Sequence, residues 1–241
     1  MARGRPRKTD PDAALDTAMK VFWERGFEGT SMNDLSTMTG MAKPGLYANF
    51  GDKEAIYAKA MERYCSAYAG PMLEDLLRSD DSLEITVRRF LDGVVVSATD
   101  TMGPKGCFVA NNLVECAGKP PSLEALGRYV DEQRQKALAA RFQAARQKGE
   151  LPEDADIKSL AEFYSGQALA LAVMARAGAP WTTLYRFVDT AMTLLPAVEA
   201  EETGGEKPEI RSEWHEGIIP LTPYKRSVAP GRRPVVYFKA K

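Results

Sequence analysis

The chain has little of what catalysis and metal binding use most. Its 241 residues hold one histidine, His215, set in a C-terminal stretch without helical periodicity. A Ser-His or Cys-His nucleophile pair, or a His-based metal site, is therefore excluded from the helical part of the sequence. The three cysteines, Cys65, Cys107 and Cys116, have neither the paired spacing of a zinc site nor the density of a disulfide scaffold, and reduced thiols are expected. There is no GxGxxG or Walker-type phosphate cradle. No apolar run approaches the roughly 20 residues of a membrane span, so no membrane partner is expected. Formal net charge is only −1, and any contact with a polyanion must rest on local clusters.

These absences weigh against an enzyme, and no cofactor or metal is expected. What the chain does have is helical patterning. Asp10-Pro11 reads as a helix start, because Asp accepts an orphan backbone N–H and Pro at the first helical position loses nothing. Leu15, Ala18, Met19 and Phe22 follow at helical spacing, and Gly26 fits a left-handed cap. Ser31 and Asp34 have capping-box spacing ahead of a short helix that ends near Gly40. A second short helix, Lys43 to Phe50, puts Leu46 and Phe50 on one face and leaves Lys43, Tyr47 and Asn49 pointing elsewhere. A longer helix from Lys53 carries Ile56, Tyr57, Ala60, Met61 and Tyr64 until Pro71 disturbs it.

The rest reads as helix to about Ala200. Val87, Leu91, Val94, Val95 and Ala98 form one stripe, and Leu123, Leu126 and Val130 begin another that runs on through Leu138 and Phe142. A shorter helix between them starts after Gly106. Two strongly periodic helices around Ile157–Ala177 and Trp181–Val198 close the series, with small Ala and Gly residues that permit a four-helix dimer contact. Beyond them an acidic, then Pro-rich and basic tail contains one strand-like run, Val235 to Phe238. The expected division is a basic arm at 1–9, a head at 10–52, a helical body at 53–200 and an irregular tail at 201–241.

Short helix, tight turn at Gly40-Met41-Ala42, short helix is the spacing of a DNA-reading helix-turn-helix. The wording of this segment is more specific: Gly26-Phe27, Thr30-Ser31-Met32, Asp34-Leu35, Thr39-Gly40-Met41, Lys43-Pro44-Gly45-Leu46-Tyr47, Asn49-Phe50 and Asp52-Lys53-Glu54 together resemble the TetR/AcrR family. The resemblance covers Asp10 to Tyr64. It implies an all-α homodimer, with a three-helix head that grips double-stranded DNA and a helical body that binds a small-molecule inducer and makes the dimer contact. Carried over residue by residue, it places Ala42, Lys43, Gly45 and Tyr47 at the groove, and Thr30 or Ser31, Asn49 and Lys53 at the phosphates. A capping Ser common in the family is Ala42 here, and a common His is Asn49. The N-terminal Arg3-Gly4-Arg5-Pro6 resembles an AT-hook core, which adds Arg3 and Arg5 as minor-groove contacts.

A cytoplasmic, ligand-responsive repressor is the function expected from these features. Phe90, Val94, Phe108, Asn111, Asn112, Glu115 and Tyr164 are the candidate inducer contacts, the polar ones because they are set among apolar residues. Cys107, at the start of the short central helix where the helix dipole favours a thiolate, makes an electrophile- or redox-sensing regulator the alternative. A constitutive architectural DNA binder is a further reading, but it leaves the large body without a role.

Overall fold

The structure is a computed structural model that describes residues 10–116, 120–196, 223–224 and 237–238. It contains two compact units, Met1–Val198 and Glu199–Lys241. The first is all helix among its described residues: α1 (Pro11–Arg25), α2 (Met32–Thr39), α3 (Lys43–Phe50), α4 (Lys53–Tyr64), α5 (Gly70–Arg78), α6 (Leu83–Thr99), α7 (Phe108–Glu115), α8 (Pro121–Gln147), α9 (Ile157–Arg176) and α10 (Trp181–Met192). In the second, Pro223–Tyr224 pairs antiparallel with Tyr237–Phe238. The basic arm and most of the tail lie outside the described residues. No described helix is long and apolar enough to cross a membrane.

Caps written in the sequence set the head's boundaries. Asp10 accepts the Asp12 N–H at the start of α1, and Asp52 accepts the Ala55 N–H at the start of α4. At α2 the capping box closes in both directions: the Ser31 hydroxyl accepts the Asp34 N–H at 3.1 Å, and the Asp34 carboxylate accepts the Ser31 N–H at 2.8 Å. The Ser31 hydroxyl also donates to the Asp34 carboxylate, and this bond, followed by the one from the Ser31 N–H, holds the Asp34 carboxyl below its ordinary range. Gly26 has φ 75° but ψ 179°, so it ends α1 in an extended, glycine-only conformation and not in the left-handed cap that its position implies. Gly40, with φ 68° and ψ 11°, does adopt the left-handed cap and turns the chain from α2 into α3.

Pro71 does not interrupt the helix that begins at Lys53. Its ring cannot donate to the carbonyl four residues back, and the chain absorbs the mismatch in a π-helical turn, Cys65–Ala69, where Gly70 N–H reaches the carbonyl of Cys65. α5 then continues with Pro71 in its first turn.

Two apolar cores are formed. One, in the body, packs α5, α6, α8, α9 and α10 around Val87, Leu91, Leu138, Phe142, Tyr164, Leu171, Leu184 and Val188. The other joins the head to α4, with Phe22, Trp23, Leu35, Leu46, Ile56 and Tyr57, and it includes Phe108, Val109, Cys116 and Leu123 from α7 and α8. The head is thus not sealed off from the body. Tyr57 makes edge contacts with Phe22, Phe27 and Phe108 at centroid distances of 4.9, 5.4 and 5.0 Å, which puts one α4 side chain between α1 and α7.

Candidate nucleic-acid interface and inducer cavity

α3 is held by two side chains. Leu46 and Phe50 are buried, while Ala42, Lys43, Pro44, Ala48 and Asn49 are exposed and Tyr47 is 51% exposed. Gly45 sits in between; a Cβ there would meet Met41 Cγ at 3.0 Å, so glycine lets the helix start press on the turn. The turn is fixed from α2: Ser36 Oγ donates to the Met41 carbonyl at 2.9 Å, and the Met41 N–H donates to Thr39 Oγ1 at 3.2 Å. Ala42 supplies no side-chain cap, and Asn49 instead turns its amide back to the Gly45 carbonyl at 2.7 Å. The outward face of α3 carries no acidic residue.

The phosphate candidates divide. Ser31 is exposed at the front of α2, where a helix N-terminus with free N–H groups suits an anion. Thr30 is buried, and its hydroxyl donates to the Gly26 carbonyl at 2.7 Å, so this residue holds the loop and does not face solvent. Lys53, a cation at the unfavourable end of α4, lies with Nζ 4.1 Å from the centroid of the Phe27 ring, which offsets part of that penalty. Arg3 and Arg5 lie outside the described residues.

Behind α4 lies a cavity of about 50 Å³. Tyr64, Met72, Leu73, Phe90, Val94 and Val109 supply much of its wall, with Ser97, Cys107 and Arg134 as polar groups. Phe90, Val94 and Cys107 among the sequence candidates therefore meet there. The Tyr64 hydroxyl lies 3.2 Å from Cys107 Sγ, and burial pushes the phenol well above its usual range, so it stays a neutral donor. Arg134 is anchored on α9 through Nε to Ser165 Oγ at 2.8 Å and pairs with Asp131. Sequence reading missed Arg134 and Tyr64, the first because a charge on a polar helix face looks solvated and the second because it belongs to a core stripe.

The other ligand candidates sit elsewhere. Phe108 is fully buried in the head core, and Tyr164 is buried in the body with its hydroxyl donating to the Ala191 carbonyl at 3.0 Å. Asn112 donates to the Tyr57 hydroxyl at 3.2 Å, Asn111 donates to the Trp23 carbonyl at 3.2 Å, and Glu115 accepts the Glu28 N–H at 2.8 Å. Being polar in an apolar helix signalled a partner, but that partner is the head for Asn111 and Glu115 and α4 for Asn112.

Comparison with known proteins agrees with this layout. Residues 14–60 match the model for bacterial regulatory proteins of the tetR family, and residues 86–190 match the tetracyclin repressor-like C-terminal domain. The HTH-type transcriptional repressor ComR of Escherichia coli K12 is 33% identical over 198 residues, covering 81% of this chain and 93% of ComR. An uncharacterized HTH-type transcriptional regulator of Bacillus subtilis 168, YezE, is 28% identical over 80% of this chain and 99% of its own. Among solved structures, a cysteine mutant of the TetR-family regulator CifR in complex with 26-base-pair operator DNA is 30% identical with a TM-score of 0.74, covering 80% of this chain and all of that one. An N-terminal helix-turn-helix, a helical body that matches the family's C-terminal domain, and relatives aligned along most of their length together place the chain in the TetR family of bacterial transcriptional regulators.

Proposed function

We propose that the chain is a ligand-responsive repressor, acting as a homodimer whose two heads (residues 10–52) grip a pseudo-palindromic operator and whose body (53–200) binds the small molecule that releases it. The observation that carries this reading is the outward face of α3. A helix held only through Leu46 and Phe50 presents Lys43, Tyr47 and Asn49 with no carboxylate among them. Ser31 and Lys53 flank it as phosphate contacts, and Arg3 and Arg5 reach a neighbouring minor groove. Exposed Gly166, Val173 and Ala177 lie along one side of α9 and its end, and Trp181 on α10 is 65% exposed, a surface suited to a twofold four-helix contact.

The test uses a duplex enriched by repeated selection on the wild-type protein. Lys43→Ala and Tyr47→Ala should each weaken binding roughly 5- to 100-fold, the range for losing one base contact. Because both side chains are exposed, melting temperatures should hardly move. Unchanged affinity in both variants removes α3 from the interface, and a monomer in sedimentation at micromolar concentration removes the dimer. A thermal-shift screen of small apolar metabolites addresses the cavity, since a ligand that binds only the native state raises its stability.

A thiol-based variant of the same reading is favoured by one contact, the Cys107 thiol on the cavity wall beside the Tyr64 hydroxyl. With N-ethylmaleimide the Cys107 sulfur would bond to one alkene carbon, and the thiol proton would end on the other. Release of the duplex from wild type but not from Cys107→Ser supports sensing through this residue, and identical responses dismiss it.

A further inference from the structure

The C-terminal end of α1 is gripped from the body by three side chains on two helices. Arg176, the last residue of α9, donates to the carbonyls of Trp23 at 3.2 Å and Glu24 at 2.9 Å, and also to the carbonyl of Lys105 at 3.4 Å. Asn111 of α7 donates to the same Trp23 carbonyl, and Glu115 of α7 takes the Glu28 N–H just past the helix end. The last carbonyls of a helix have no partner within it and carry the negative end of its dipole, so a guanidinium and an amide there complete the helix. Arg176 forms no ion pair among the described residues; its fork is spent on backbone.

Two glycines make the approach possible. A Cβ on Gly26 would lie 2.1 Å from Glu115 Oε2, and one on Gly106 would lie 3.0 Å from Arg176 Cβ and 3.2 Å from the Ala172 carbonyl. Both have positive φ, 75° and 86°. Gly26 therefore lets α7 close on the end of α1, and Gly106 lets the end of α9 close on the segment that leads into α7, which incidental surface contacts would not require.

We infer that Arg176, Asn111 and Glu115 form a clasp that sets the orientation of the DNA-reading head on the body, with Arg176 as its principal positioning residue. α2 and α3 are carried by α1 and α4, so fixing the end of α1 fixes where α3 points. α9 is also one of the helices assigned to the dimer contact, and the clasp therefore links the dimer axis to each recognition helix by one side chain. Removing it leaves the head folded but free to rock, and the ordering then has to occur when DNA binds.

The inference rests on α3 being the DNA-facing helix, and its test separates the two. Full-length wild type, Arg176→Ala, Arg176→Lys and the double variant Arg176→Ala/Glu115→Ala are compared by hydrogen exchange and by binding to the selected duplex over a range of salt. The amides of residues 26–30 should exchange at least roughly tenfold faster in the double variant, while those in the interior of α9 keep their protection. Arg176→Ala should bind roughly tenfold more weakly with an unchanged salt slope, because this residue acts through α1 and neutralises no phosphate. Arg176→Lys should recover part of the loss, a point charge replacing the fork. Unchanged exchange and affinity overturn the clasp, as does a salt slope that falls by about one, which would make Arg176 a phosphate contact. A collapse of melting temperature in Arg176→Ala also overturns it, by making the residue a general stabiliser. If wild type enriches no duplex, the DNA-facing assignment fails, and hydrogen exchange alone decides the clasp.

Discussion

Gly127 lies inside α8, where replacing glycine by alanine ordinarily stabilises a helix by about 1 kcal/mol. Here the opposite is expected. A Cβ at this position would lie 1.9 Å from Asn112 Oδ1 and 3.1 Å from its Cγ. Asn112 is fully buried and its amide donates to the Tyr57 hydroxyl at 3.2 Å, so it cannot retreat without breaking that bond and leaving the amide N–H unpartnered in the core. A buried polar group left unsatisfied costs about 1–3 kcal/mol, and the clash adds to it. Set against the helix gain, Gly127→Ala should destabilise by about 1–2 kcal/mol, or roughly 3–6 °C in melting temperature for a domain of this size. Truncating the neighbour reverses the sign: with Asn112→Ala in place the same glycine change should be neutral or stabilise by up to about 1 kcal/mol, with only Leu113 Cδ2 at 3.2 Å still to move. The assay is thermal and urea unfolding of the four proteins at one fixed protein concentration. Additive effects, or a Gly127→Ala protein more stable than wild type, would refute the packing argument.

Three further outcomes are expected. Ser31→Ala removes the reciprocal cap of α2 and should cost about 1 kcal/mol in urea unfolding, with DNA affinity reduced as well if Ser31 also meets a phosphate. Asp92, whose Oδ1 is buried without a hydrogen-bond partner, has its carboxyl pushed up to about 6, mainly by burial and against the pull of Arg88. A folded-state value above the unfolded one means that the native protein holds the proton longer, so stability is lost as pH rises from about 4 through about 6. Asp92→Asn should therefore melt higher than wild type at pH 8, with the difference gone near pH 4. Deleting residues 3–8 should lower DNA affinity and flatten its salt dependence, because Arg3, Arg5, Arg7 and Lys8 would no longer release counterions; an unchanged slope would mean that the arm does not touch DNA.

The head was legible because its signals are local. Asp10, Ser31 with Asp34, and Asp52 each act on a backbone group within a few residues, so these side-chain caps in the sequence are caps in the structure. Leu46 and Phe50 likewise settle which face of α3 is inside. Pro71 was harder to place, because the proline's cost was visible and its remedy was not: a π turn needs no residue signature, only neighbours that keep the helix docked. Thr30 shows the same limit. A Thr beside a Ser at a helix start looks like a second phosphate contact, and only the path of the loop after Gly26 turns its hydroxyl inward.

α7 shows why the cavity could not be read from one chain. At 100° per residue, Phe108 and Asn112 share a side of this helix, as do Asn111 and Glu115, and the structure keeps both pairings: the first pair meets Tyr57, the second meets the end of α1 and the loop after it. Periodicity groups residues correctly but does not name what stands opposite each group. An eight-residue helix packed against α1, α4, α8 and α9 has neighbours on most of its sides, with Val114 left outward, so each of these polar side chains met protein before it could meet a ligand. The cavity falls instead to Cys107 and Val109, at the entry to α7, and to side chains brought from α4, α6 and α8 across more than sixty positions of sequence. Val109 at one end of this eight-residue helix borders the cavity and Glu115 at the other end holds the head, so under the proposed function α7 is the element that joins a ligand in the cavity to the end of α1. If the proposed inducer binds this cavity, it can act only by differential affinity for two positions of α7, and operator and inducer would then weaken each other's binding by the same factor.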